Sequence, residues 1–153
     1  MAESWNTRLM RWGFNWFPAY RRTGANIRYI AADMKTVRIR LPLNWKTRNY
    51  VGTMFAGSMY GAIDPIYMIM FIKILGPNYI VWDKAADIRF KIPGRSTLYA
   101  EFTVADTEIA YIKDTLEHQE KLDRVYLVEL VDEHNVVHAY ADKTLHFRKK
   151  SKT

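Results

Sequence analysis

The sequence predicts an α+β domain, an antiparallel sheet of five or six strands wrapped around one long central helix, with an N-terminal amphipathic helix and an extra helix near residues 107–122. Three observations carry that expectation. Apolar and polar residues alternate with a period of two in several short segments, as half-buried strands require. Met54 to Leu75 is apolar almost throughout, which suits a helix enclosed by protein on all sides. The 153 residues suffice for one core and leave little room for a second.

Taken in order, Trp5, Leu9, Trp12 and Trp16 recur at helical spacing, so residues 4–17 read as an amphipathic helix ended before Pro18. It could pack on the domain's own sheet or lie on a membrane surface, and its small, weakly cationic polar face favours packing. Asn26 to Ala31 is read as a strand with Asp33 near the following turn, and Thr36 to Leu41 as the next, with Arg38 and Arg40 on its wet face. In the apolar stretch, Asp64 and Pro65 sit mid-way. A carboxylate is expensive in lipid and Pro removes a hydrogen bond, so a buried central helix is preferred over a membrane span.

Asp87 to Ile92 sets Ile88, Phe90 and Ile92 opposite Arg89 and Lys91, Leu98 to Val104 alternates likewise, and Pro93-Gly94-Arg95-Ser96 is read as the turn joining them. Asp106-Thr107 can cap a helix running to about Leu122 with Ile109, Ile112 and Leu116 on one face. Val125 to Val131 and Val136 to Phe147 form a last hairpin, turned by Asp132-Glu133-His134-Asn135. The chain divides into residues 1–24 as helix and linker, 25–148 as the single domain and 149–153 as a basic tail.

Residues 1–50 hold ten Lys/Arg and two acids, so the net charge of +7 is concentrated there. Such a surface suits phosphate-bearing ligands, anionic lipid or nucleic acid alike, but no nucleic-acid motif is present and that partner is not expected. The chain has no cysteine, which removes thiolate chemistry and disulfides and agrees with a cytoplasmic location; no secretory pattern opens it. His118, His134, His138 and His146 show no metal-ligand spacing and are expected at the surface or an interface; no metal and no cofactor are expected.

The stretch Asn49-Tyr50-Val51-Gly52-Thr53-Met54-Phe55-Ala56-Gly57-Ser58, with Asp64 eight residues after Ala56, resembles the motif of small hotdog-fold acyl-CoA thioesterases: Asn, Gly-Thr, His-Gly-Gly, then an acid. Ala85 to Gly94, Tyr99-Ala100-Glu101 and the final hairpin resemble the later strands of the same family. Phe55 stands where the pattern has His, and Ala56 replaces its first paired glycine. An uncharacterised thioesterase-like branch with an Asp-Pro pair in its central helix is the closer likeness.

The resemblance implies a hydrolase whose substrate is a coenzyme A thioester, with Asp64 activating water and the Gly57 N–H at a helix start holding the oxyanion. Asn49 would orient the water or close a loop. Asp64 lies about two helical turns, roughly 10 Å, beyond Gly57, too far to serve it within one protomer. The family answers this by pairing protomers, so a homodimer or tetramer is implied. Met59, Met68 and Met70, with Tyr60, Tyr67 and Phe71, could line an acyl tunnel, although such residues by default pack a core; Phe55, Ala56 and Ser58 are expected to bind substrate as well, with Ser58 more often a helix cap than a nucleophile. Arg89, Lys91 and Arg95 would meet the phosphates of coenzyme A, unless they are simply solvated. For Asp64 itself, the structural alternative is an acid turning the helix at the Asp-Pro step. The alternative for the whole chain is a non-catalytic acyl-CoA-binding or lipid-binding hotdog protein.

Overall fold

A computed structural model of the chain describes residues 2–151. The strands β1 (Asn26–Ile30), β2 (Thr36–Leu41), β3 (Tyr79–Phe90), β4 (Leu98–Thr103), β5 (Lys121–Val131) and β6 (Val137–Lys149) form one six-stranded antiparallel sheet in the order β1-β2-β4-β5-β6-β3. The helices are α1 (Trp5–Trp16), α2 (Pro18–Arg22), α3 (Ala56–Ile63), α4 (Ile66–Leu75) and α5 (Asp106–His118). The sheet curls around α3 and α4, which follow one another through the turn at Asp64-Pro65. By length and composition Ala56–Leu75 could cross a membrane, yet Met59, Ile63, Ile66, Met70 and Phe71 are buried against Ile39, Leu41, Phe102 and Phe147 of the sheet. This is the hotdog arrangement.

Several expectations change. The Trp5, Leu9, Trp12 and Trp16 stripe does not face the sheet: α1 packs on β1, but through Thr7, Met10 and Phe14. The linker before residue 25 contains α2, whose first residue, Pro18, suits that position because its missing N–H would be unpaired there anyway. The helix expected to reach Leu122 ends at His118, because Leu122 follows the strand's period of two and pairs with Phe147. Its N-cap is Ala105 without a side-chain bond, so Asp106 and Thr107 belong to the first turn. β3 begins eight residues before Asp87; its Trp82, Lys84, Ala85 and Ala86 are exposed and show no alternation to read.

Pro93 to Ser96 is not a hairpin turn. β3 lies at one edge of the sheet and β4 between β2 and β5, so this segment is part of a crossover. His138 and His146 are buried: His138 Nε2 lies 3.2 Å from Asp132 Oδ2, and the His146 ring lies 4.2 Å from that of Trp82. Arg148 and Lys149 continue β6, so the tail is shorter than expected, and Lys152 and Thr153 lie outside the described residues. The Asp132 to Asn135 turn forms as expected, with Asn135 at φ 60°.

Candidate active site

The first component is the start of α3. Phe55 occupies its N-cap position with no side-chain hydrogen bond, and Ser58 and Met59 donate back to the Phe55 carbonyl at 3.0 and 3.1 Å. Ala56 and Gly57 are therefore first-turn amides with no carbonyl a turn earlier to accept them. Both are exposed. The Phe55 ring folds over Gly57, where a Cβ would lie 2.4 Å from Phe55 Cε1, so glycine permits that close approach. Ser58 is buried inside the first turn and is not the cap.

Beside this helix start lies a pocket of about 260 Å³ lined by Asn49, Met54, Ala56, Met59, Phe90 and Lys91, among others. Its outer wall is the crossover after β3, tied to the preceding loop by the Met54 N–H, which donates to the Gly94 carbonyl at 2.7 Å. The Asn49 side chain is committed to its own loop. Its Oδ1 accepts from the Val51 and Thr53 N–H groups at 3.1 and 3.0 Å, and its Nδ2 donates to Thr53 Oγ1 at 2.8 Å. It closes the loop that shapes the pocket.

The second component surrounds Asp64. Its backbone caps the C-terminus of α3, donating to the Tyr60 carbonyl, as the turning role foresees, but its side chain does something else. Asp64 Oδ1 accepts a 2.7 Å hydrogen bond from Lys143 Nζ, on β6. Lys143 has no exposed surface, and its ammonium also lies 2.9 Å from Asp83 Oδ1 on β3 and 3.3 Å from the Tyr60 hydroxyl. Burial opposes the Lys143 charge, but the bonds to Asp64 and Asp83 outweigh it and hold its pKa above the ordinary lysine value. Burial raises the Asp83 carboxyl, opposed by Lys143 and aided by the Asp64 charge; it also raises the Tyr60 hydroxyl. The Asp64 side chain is 42% exposed, so it faces solvent while anchored to a buried cation.

Of the residues expected at a site, the pocket gathers Asn49, Ala56, Met59 and Lys91, with Phe55 and Gly57 at the adjoining helix start. Tyr60 and Asp64 belong to the Lys143 cluster. Met68, half-buried on α4, packs against the core, while Arg89 and Arg95 are exposed and do not line the pocket. Arg89 and Lys91 both approach the face of Tyr140, at 5.8 and 6.0 Å, beside the end of β3, where Arg89 also lies 3.4 Å from Asp87 Oδ2. Lys143 and Asp83 escaped the sequence reading. Among the described residues, no three His, Asp or Glu side chains are grouped to hold a metal ion.

Solved structures share this fold over nearly their full length. A Pseudomonas aeruginosa protein of unknown function, described as a probable thioesterase, superposes with a TM-score of 0.83 at 18% identity, covering 98% of this chain and 100% of that one. A Haemophilus influenzae thioesterase gives 0.71 at 13% identity, covering 96% and 93%. The Escherichia coli PaaI protein from the phenylacetic acid degradation operon gives 0.63 at 17% identity, covering 97% and 93%. At these identities the likeness is one of fold alone, the hotdog fold. No curated protein matches the chain. A family profile matches residues 6–147, nearly the whole domain, and the chain belongs to the family described as Domain of unknown function (DUF4442).

Proposed function

We propose that the protein is a hotdog thioesterase that hydrolyses acyl-CoA or a similar thioester, working as a homodimer paired through β3. The observation that carries this reading is Asp64, a solvent-facing carboxylate on the central helix, oriented by a fully buried lysine beside the free edge of β3. A twelve-residue edge strand exposes a row of unpaired backbone groups and invites a second strand. In such a pair, Asp64 of one protomer serves the α3 start of the other.

Asp64 takes a proton from water, and the water oxygen attacks the thioester carbonyl carbon. The electron pair of the C=O bond moves to oxygen, where the Gly57 N–H and the positive end of α3 stabilise it. Collapse of the tetrahedral species re-forms the C=O bond and breaks the C–S bond, and the leaving sulfur takes the proton. Lys143 orients the base, while the pocket beside Met59 takes the acyl group and Arg89 and Lys91 attract the phosphates. The test is free thiol release across a panel of acyl-CoAs. Turnover with at least one, falling about a hundredfold or more in Asp64→Asn, is expected; undiminished turnover in that variant refutes the assignment.

The second reading, a non-catalytic acyl-CoA-binding or lipid-binding protein, is favoured by two details. Phe55 covers Gly57, and the Asn49 side chain is engaged by Val51 and Thr53 within its own loop. It predicts saturable acyl-CoA binding without thiol release, unchanged in Asp64→Asn.

A further inference from the structure

α1 has two faces of opposite fate. Toward the body, Thr7 is buried, Met10 and Phe14 pack on the core, and Asn15 exchanges hydrogen bonds with the Ile27 carbonyl and N–H at 2.9 and 2.7 Å. Glu3, bonded to the Ile30 N–H, clamps Arg11 with 2.8 and 3.2 Å bonds, and Ser4 with Thr7 completes a capping box. These contacts fix the rotation of the helix about its axis. At about 100° per residue, Trp5, Leu9, Trp12 and Trp16 fall on one narrow stripe diametrically opposite. They are 78%, 62%, 61% and 57% exposed, and Phe17 beyond them is 57% exposed. A surface helix of a globular protein ordinarily turns its apolar stripe to the core. This one turns it outward.

The surrounding charge is mainly positive, with Glu3, held at the body side by Arg11 and 3.6 Å from Arg8, as its one acid before Asp33. From Ser4 to Ala32 there are five arginines and no acid. Arg21 lies over the Trp16 ring at 4.9 Å, at the margin of the aromatic stripe, and Arg8 and Arg22 are exposed. The loop after β2 repeats the pairing: Trp45 is 77% exposed, with Lys46 Nζ 5.1 Å from its ring centre. That loop abuts the end of α2, because Thr47 Cγ2 occupies the space where a Gly24 side chain would begin.

We propose that this aromatic and cationic face docks α1 on the surface of an anionic phospholipid bilayer. Indole rings combine an apolar body with one N–H donor and settle at the level of the lipid headgroups, while guanidinium groups pair with phosphates. The like charge argues against a second copy of the chain as the occupant, since a two-fold contact through α1 would set arginine against arginine. The proposal stands apart from the thioesterase reading and uses none of its residues.

The test is flotation of the full-length chain with vesicles of phosphatidylcholine alone or mixed with phosphatidylglycerol, alongside sedimentation equilibrium without lipid. Co-flotation with the anionic vesicles is expected, reduced about tenfold or more in Trp12→Ser/Trp16→Ser, whose sites are on the surface and leave the core intact. Arg21→Gln/Arg22→Gln should bind the two vesicle types alike. Absence of flotation overturns the proposal, as does flotation that the tryptophan variant retains. So does a mass in solution that drops when Trp12 and Trp16 are replaced, which would make the face a protein interface.

Discussion

Lys143 shows how one residue can link the core to the surface. It stands in β6 between Ala141 and Leu145, on the face the strand buries, yet it carries a charge that two carboxylates keep in place. Removing it leaves Asp64 and Asp83 facing one another without a cation. Lys143→Met should therefore cost about 3 kcal/mol, read from the shift of the denaturant midpoint, and Asp83→Asn added to it should recover part of the loss. The folded state holds the Lys143 pKa above its ordinary 10.5, so its stabilisation is complete below that pH and is lost as pH climbs through the folded value. The native chain should weaken in alkali in a way that Lys143→Met does not. The cue was legible: in Ala139, Ala141, Lys143, Leu145 and Phe147, the lysine is out of place in an apolar phase. Asp64 was found through its helix. Asp83 was not, because its strand lacks the alternation that would have revealed it.

At the scale of elements, periodicity located β2, β4, β6 and the apolar helix well, since each buries one face or all of itself. It could not say which strands are neighbours. The crossover after β3 reads as a hairpin turn because Pro-Gly marks a change of direction, whereas the pairing of β3 with β6 is set by the core both strands cover. Gly24 shows a constraint of the same kind. It joins α2 to β1 at φ +86°, and an added Cβ would sit 2.1 Å from Thr47 Cγ2. Gly24→Ala should lower stability by about 2 kcal/mol, visible as a lower melting temperature. Thr47→Ser in the same chain should relieve the clash but not the backbone strain.

For the whole molecule, the question is whether the free edge of β3 is its meeting surface. Sedimentation should give a mass of about 36 kDa, twice the 18.1 kDa of the chain. Ala85→Lys/Ala86→Lys, at two exposed positions in mid-strand, should shift the mass toward the single chain by like-charge repulsion and reduce thiol release in parallel. A monomer that keeps full turnover would separate assembly from chemistry. The expectation of an oligomer came only from the family resemblance, because the sequence of an edge strand does not say what lies beyond it.

The outward stripe of α1 also bears on how folding can be followed. All five tryptophans, Trp5, Trp12, Trp16, Trp45 and Trp82, are substantially exposed, the last at 39%. Their indoles are wet before the chain unfolds, so intrinsic emission is a poor witness to loss of the core. The tyrosines that sense the interior are Tyr20, Tyr67 and Tyr126, packed under the sheet. Near-ultraviolet dichroism from those rings is the signal that tracks the fold.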